Sequence, residues 1–247
     1  MKQVLLVTGG SRGIGAATAK LAAAKGYAVC ISYLNKEAPA QKLVAEIVQA
    51  GGEALAVRAD VALAADILRL FTEADALGPL TALVNNAGML EGQMRVDQMD
   101  AARLIRVMTT NVVGSFLCAQ QAVRRMSTRR GGKGGAIVNL SSAAARLGGP
   151  GEYVDYAASK GAIDTFTVGL AKEVAGEAIR VNAVRPGLIY TDIHASGGDP
   201  GRVDRIKGAV PMQRGGDADE VARAILWLLS DEASYVTGAV LDVTGGR

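Results

Sequence analysis

The chain has almost none of the residues that build disulfide scaffolds or metal centres. It contains two cysteines, Cys30 and Cys118, and one histidine, His194, among 247 residues. Both cysteines stand in apolar stretches, so they read as buried thiols in a reducing compartment, and no disulfide framework is implied. No His/Cys spacing suggests a metal site. Long apolar runs are also missing. Val4–Val7, the first, is too short for a membrane span or for the core of a secretion signal. The expectation is a cytoplasmic protein without a membrane contact. A strong charge imbalance is absent too: 27 Lys+Arg against 24 Asp+Glu leaves a formal net charge of +3. That is too mild to argue for nucleic acid.

What is present is alternation. Short, near-continuously apolar runs occur at Val4–Val7, Ala28–Ser32, Ala54–Val57, Leu80–Val84, Ala136–Leu140, Arg180–Val184 and Val240–Val243. Between them lie helical patterns near 13–25, 37–50, 63–77, 97–129, 153–176 and 217–230. Strand–helix alternation predicts an α/β chain with a mostly parallel sheet and helices on both faces. Strands covered on both faces are expected to be apolar throughout. No linker divides the chain, so one domain over 1–247 is expected, an ordinary size for an α/β fold. Leu188–Gly216 lacks strong periodicity and is rich in glycine and charge. A loop that long in a compact domain is often an active-site lid.

The chemistry-bearing motifs sit where runs end. Thr8-Gly9-Gly10-Ser11-Arg12-Gly13-Ile14-Gly15 follows the first strand and opens the first helix. Glycines there let the backbone turn tightly and approach a pyrophosphate, and the helix N-terminus offers N–H groups and partial positive charge. The spacing is Gly-x-x-x-Gly-x-Gly, not the Gly-x-Gly-x-x-Gly of the usual dinucleotide fingerprint. A cofactor lacking a 2′-phosphate is usually held by an acid at the end of the second strand. Here that end reads Ser32-Tyr33-Leu34-Asn35-Lys36, and the first acid is Glu37. Arg12 and Lys36 could pair with a 2′-phosphate, or be solvated charges; NADP(H) is expected over NAD(H).

Asp60, before Val61, could accept from an adenine amino group or cap the helix starting near Leu63. Asn85-Asn86-Ala87-Gly88 ends the fourth strand; the asparagines could tie strand ends together, and Gly88 leaves room for a cofactor. Asn111 lies within the long helical pattern, either buried with partners or exposed. Arg124, Arg125, Arg129, Arg130 and Lys133 cluster at that pattern's end and read as wet charges complementing the helix dipole, the alternative being a docking patch for an acidic carrier or a polyanion. After the sixth strand come Pro186-Gly187 and Thr191, whose hydroxyl could bond a cofactor carboxamide. His194 either touches substrate or is a solvated loop residue.

Ser141–Lys160 draws these motifs together. Tyr156 and Lys160 are four residues apart, hence on one helix face. A phenol has a pKa of about 10, and a nearby cation lowers it. Bringing it down by about 2–3 units takes roughly 3–4 kcal/mol and makes a usable general acid/base. Ser142, at the end of the preceding strand, could face the same pocket.

Thr8–Gly15, Asp60, Asn85–Gly88, Asn111, Ser142, Tyr156, Lys160 and Pro186-Gly187 succeed one another as in the short-chain dehydrogenase/reductase family, which the chain resembles from residue 3 to 245. The resemblance implies a single Rossmann domain, a three-layer αβα sandwich with a seven-stranded parallel sheet. It implies Tyr156 as proton donor/acceptor, Ser142 rather than Ser141 as holder of the substrate oxygen, Lys160 on the nicotinamide ribose and depressing the phenol pKa, and Asn111 holding a relay water. Implied cofactor contacts are Thr8, Gly9, Ser11, Arg12, Gly13, Ile14, Gly15, Asn35, Lys36, Asp60, Val61, Asn86, Ala87, Gly88, Pro186, Gly187, Ile189 and Thr191, besides Tyr156 and Lys160. The implied activity is NADP(H)-dependent hydride transfer to or from a carbonyl or secondary alcohol. Family members of this length are commonly homotetramers, and Tyr235–Gly246 resembles a segment often found at a subunit contact. The alternative is a non-catalytic module that senses NADP(H).

Overall fold

The computed structural model describes residues 2–247. Seven strands form its sheet: β1 (Val4–Val7), β2 (Ala28–Tyr33), β3 (Glu53–Arg58), β4 (Leu80–Asn85), β5 (Gly135–Leu140), β6 (Ile179–Pro186) and β7 (Val240–Val243). Their order is β3-β2-β1-β4-β5-β6-β7, and every neighbouring pair is parallel. The fold is a Rossmann-like α/β sheet with helices on both faces. The helices are α1 (Gly13–Ala24), α2 (Glu37–Gln49), α3 (Ala64–Asp75), α4 (Ala101–Met108), α5 (Gly114–Met126), α6 (Ala144–Leu147), α7 (Val154–Val174), α8 (Ile193–Ser196), α9 (Arg202–Ile206) and α10 (Ala218–Leu229).

The period-2 alternation of a strand divides each apolar run between two cores. Val4 and Leu6 pack with Ile67, Phe71, Cys118 and Val174 from α3, α5 and α7. Leu5 and Val7 face the other way, onto Ala19, Leu43, Ile47 and Ile225 from α1, α2 and α10. Both faces are therefore dry, and β1 and β2 are buried at every position. The outermost strands β3 and β7 are only partly covered, as edges must be.

The single helix anticipated over 97–129 is interrupted. Asp100 caps α4 by accepting from the Arg103 N–H at 2.7 Å. The chain then widens into a π turn, Thr109–Val113, before α5. Four of those five residues are β-branched and the fifth is Asn111, all poor helix formers. Gly114 next to it lies so close to the Val61 carbonyl that a Cβ would stand 2.6 Å from that oxygen. Single π turns of this kind often mark functional positions.

The 188–216 segment has a closed base. Ile189 bridges Gly216, Tyr190 N–H donates to the Gly216 carbonyl, and Gly216 N–H donates to the Leu188 carbonyl. Between these ends, α8 and α9 fold over a small core of Leu188, Val203 and Val210. The strand order reverses between β1 and β4, which opens a crevice at their C-terminal ends where ligands bind in open α/β sheets.

Candidate active site

The crevice is fixed by bonds between the ends of β1 and β4. The Thr8 hydroxyl accepts from the N–H groups of Asn86 and Ala87, both at 3.0 Å. The Asn86 side chain donates to the carbonyls of Thr8 and Gly9 at 2.8 and 2.9 Å. One position further in, Asn85 donates to Asn139 on β5 and to the Ser115 carbonyl. Gly9 adopts φ +63°, and a Cβ there would stand 2.9 Å from the Ala87 Cα, so a side chain would push β1 and β4 apart. Gly9 N–H donates to Ser32 Oγ on β2 at 3.0 Å.

The first turn of α1 contains no acid and no capping side chain, so its N–H groups and positive end face the crevice unneutralised. Thr191 lies across the loop from Gly13. Arg12 reaches the 188–216 segment, with its guanidinium 3.7 Å from Asp192 and a 3.3 Å bond to Ser196 Oγ. Asn35 and Lys36 are exposed just beyond β2. Beside them is a cation the sequence reading missed: Arg58, at the end of β3, donates to the Leu34 carbonyl at 3.3 Å. Only the β2–β3 pairing, which sets Tyr33 opposite Arg58, brings it there. Asp60 accepts from Ala62 N–H at 2.9 Å, closing a turn just ahead of α3, which itself has no side-chain cap.

Tyr156 and Lys160 share a face of α7. Lys160 Nζ stands 5.6 Å from the centre of the Tyr156 ring and donates to the Leu140 carbonyl at 2.6 Å. Ser141 is tied into the fold, its hydroxyl donating to the Lys160 carbonyl, whereas the Ser142 hydroxyl accepts from Ala144 N–H and lies beside the Tyr156 phenol. Burial lowers Lys160 to about 8, partly offset by Asp164 one turn on. The phenol departs from the simple expectation. Burial raises the Tyr156 pKa, and it is the Ser142 hydroxyl that pulls it down. Lys160, whose own charge burial disfavours, is not among the groups that lower it.

Asn111 is buried at the centre of the π turn. Its side chain accepts from Met89 N–H at 2.8 Å and donates to the Met89 carbonyl and Ser159 Oγ. Its own carbonyl accepts from Ser115 Oγ. A Cβ on Gly88 would meet Asn111 Oδ1 at 3.4 Å and Lys160 Nζ at 3.5 Å, so the glycine keeps this corner open.

These elements enclose a cavity of about 600 Å³. Its lining includes Ile14, Asn86, Gly88, Pro186, Gly187, Ile189 and Thr191, together with Ser142, Tyr156 and Lys160. His194 lines it too, though its Nε2 is bonded to the Ile189 carbonyl and burial lowers its pKa. Among the described residues no cluster of His, Cys, Asp or Glu could hold a metal, and no helix is long and apolar enough to cross a membrane. Both cysteines are free and buried, and burial raises each thiol to about 12.

Residues 9–247 match a family described as enoyl-(acyl carrier protein) reductase. The chain belongs to the short-chain dehydrogenase/reductase family. This dehydrogenase/reductase is 59% identical over 245 residues to the "uncharacterized oxidoreductase YgfF" of Escherichia coli (strain K12), covering 99% of each chain. It is 39% identical over 250 residues to a 3-oxoacyl-[acyl-carrier-protein] reductase of Synechocystis, covering 99% of this chain and 96% of that one. A blue fluorescent protein from a metagenomic library, solved in complex with NADPH, superposes with a TM-score of 0.90 at 33% identity, over 99% of this chain and 97% of the other. The protein is thus an oxidoreductase of a family that uses a nicotinamide cofactor.

The residues present fit such a cofactor. The uncapped α1 N-terminus suits a pyrophosphate. Gly88 leaves beside Asn111 and Lys160 the space that a side chain would fill.

The basic cluster at the end of α5 is partly neutralised: Arg125 pairs with Asp75 and lies over the Phe71 ring, and Arg129 pairs with Glu177. Sequence reading missed one buried pair, Arg103 with Asp155, immediately before Tyr156. Its only signal was a charge at an inward position of each helix, which spacing alone does not match across 52 residues.

Proposed function

We propose that this oxidoreductase reduces a carbonyl to a secondary alcohol with NADPH, with Tyr156 as the proton donor. The observation that carries the reading is the phenol and the Ser142 hydroxyl side by side in the cavity, on the face of α7 that also presents Lys160. NADPH, when bound, supplies the hydride for the carbonyl carbon. As negative charge develops on the substrate oxygen, Ser142 donates a hydrogen bond to it and Tyr156 gives up its proton. Lys160 orients the cofactor ribose and, with Asn111, keeps the corner at Gly88 polar. The 188–216 segment acts as the lid of a single 1–247 domain. A panel of ketones, diketones, β-keto thioesters and sugars followed by NADPH oxidation tests the reading. Tight NADPH binding with no turnover across the panel would favour a cofactor-sensing module instead.

Preference for NADP(H) rests on Lys36 and Arg58 around a β2 end without an acid, while Arg12, engaged by Asp192 and Ser196, would have to leave them to reach a 2′-phosphate. Substituting Lys36→Ala and Arg58→Ala together is expected to weaken NADPH binding by roughly tenfold or more and NADH binding by less than about twofold. Fluorescence titration with both cofactors reads this out, and equal losses would contradict the assignment.

The pH profile follows from burial. A phenol held protonated above its ordinary value keeps the reduction rate level through neutral pH, with the loss at the alkaline end; alcohol oxidation, which needs the phenolate, rises with pH. Stability behaves differently. Lys160 has a folded value of about 8 against 10.5 unfolded, so between them the unfolded chain binds more protons and stability rises with pH. Cys30 and Cys118, raised from 9.0 to about 12, have the opposite sign above 9.0. The melting temperature is expected to peak near pH 9, and the rise from pH 8 to 9 should vanish in Lys160→Met.

A homotetramer is part of the proposal. Ile105 and Phe116 are exposed on α4 and α5, with Phe116 stacked on Phe166, and Leu241 on edge strand β7 is exposed with Trp227 and Tyr235 nearby in sequence. Patches of this kind mark contacts. Sedimentation is expected to give four copies, and Phe116→Asp to reduce that number.

A further inference from the structure

The proposed reading leaves the carbonyl's flanking groups open, and the apolar part of the cavity wall addresses them. That wall is formed by Leu90, Ala144, Leu147, Tyr153, Ile193 and Ile206. Three ionisable side chains lie among them, and each is engaged by the protein. Arg202 bonds Glu152 at 2.5 Å, stands 3.9 Å from Asp199, and lies over the Tyr153 ring at 5.2 Å. Glu152 is neutralised by that contact. His194 is held on the Ile189 carbonyl. Tyr153 Oη accepts from Gln93. Two polar atoms of these side chains have no partner, His194 Nδ1 and Arg202 Nη1, but protein atoms cover both, so neither is presented to the cavity. Arg247 also lines the cavity but is exposed, and a solvated charge holds a carboxylate only weakly.

We infer that the substrate is a neutral ketone with hydrocarbon flanks, alkyl, alicyclic or aryl, rather than a sugar or a keto acid. The inference rests on the carbonyl-reductase reading. A hydroxyl brought against Leu90, Ala144, Leu147, Ile193 or Ile206 leaves water and finds no partner on those side chains, a loss of roughly five- to a hundredfold in binding. A carboxylate meets an arginine already shared by two acids. Hydrocarbon loses nothing of this kind and gains about three- to fourfold per buried methylene. Part of the cavity is lined by the residues assigned to the cofactor, so the gain ends once the remaining space is filled.

A series of methyl ketones from 2-butanone to 2-decanone, with saturating NADPH and the full-length protein, tests this. The expected result is a rise in kcat/KM of about three- to fourfold per methylene over the first members, then a plateau. Acetophenone and cyclohexanone are expected to exceed glucose and pyruvate by at least about a hundredfold. Leu147→Ser, at a half-exposed position of the wall, should flatten the series without changing NADPH affinity. A flat series in the native protein, or a preference for pyruvate or glucose, overturns the inference. If that preferred polar substrate is also lost in Tyr156→Phe, the reductase reading survives its fall. If the ketone series is turned over equally by Tyr156→Phe, it is the reductase reading that fails.

Discussion

Tyr156→Phe is expected to lose at least about a thousandfold in NADPH-dependent turnover while binding NADPH within about threefold of the native affinity. The variant keeps the ring that packs beneath Lys160 Nζ and removes only the hydroxyl beside Ser142. Without it, no donor of matched position remains to protonate the nascent alkoxide. Lys160 does not take its place, because its Nζ stands 5.6 Å from the ring centre, where it is held by the Leu140 carbonyl, and not at the position of the lost hydroxyl. Turnover and cofactor titration on the same preparation separate chemistry from binding. A residual rate above about a tenth of native would remove Tyr156 from the role proposed for it.

Breaking the Arg103–Asp155 pair is expected to destabilise the fold by about 3–5 kcal/mol, because each single substitution strands a buried charge. The side chains are 5% and 1% exposed, and Arg103 holds the carboxylate through two of its nitrogens while a third donates to the Gly92 carbonyl. Arg103→Met should lower the melting temperature by about 6–20 °C, and Arg103→Met with Asp155→Leu should recover part of that loss, since two apolar groups leave no charge behind. Burial works against the Asp155 charge, but the Arg103 bonds and N–H groups at the start of α7 outweigh it and hold the pKa below its usual value. The stabilisation is therefore present above the ordinary carboxylate pKa and disappears as pH falls through the lowered one. Because Asp155 precedes Tyr156, loosening this end of α7 should also lower kcat more than it raises KM for NADPH. Unchanged stability in both single variants would show the pair to be dispensable.

Much of the framework was legible in local pattern. Each of the seven apolar runs became a strand within one or two residues of its bounds, and for the inner strands the reason is that burial on both faces leaves no polar position to blur the pattern. Leu188 and Gly216, chosen as the limits of an aperiodic stretch, turned out to pair backbone to backbone. The 97–129 pattern misled because its apolar spacing runs on through a π turn; a widened turn changes the hydrogen bonding but scarcely the pattern. Asp60 was left between two roles, and it closes a turn ahead of the helix that neither reading described.

Sequence alone determined the order of strands and helices, the glycine-lined turn after β1, and the one-turn spacing of Tyr156 and Lys160, all properties of neighbours along the chain. Tertiary structure decided which charges meet: Arg58 beside the β2 end, Arg12 on the lid, Arg103 on Asp155, Arg202 closed on Glu152. It also reversed the expected direction of the Tyr156 shift. The physical reason is common to these cases. Desolvation and long-range pairing depend on what the fold brings together across many residues, and no local spacing encodes them.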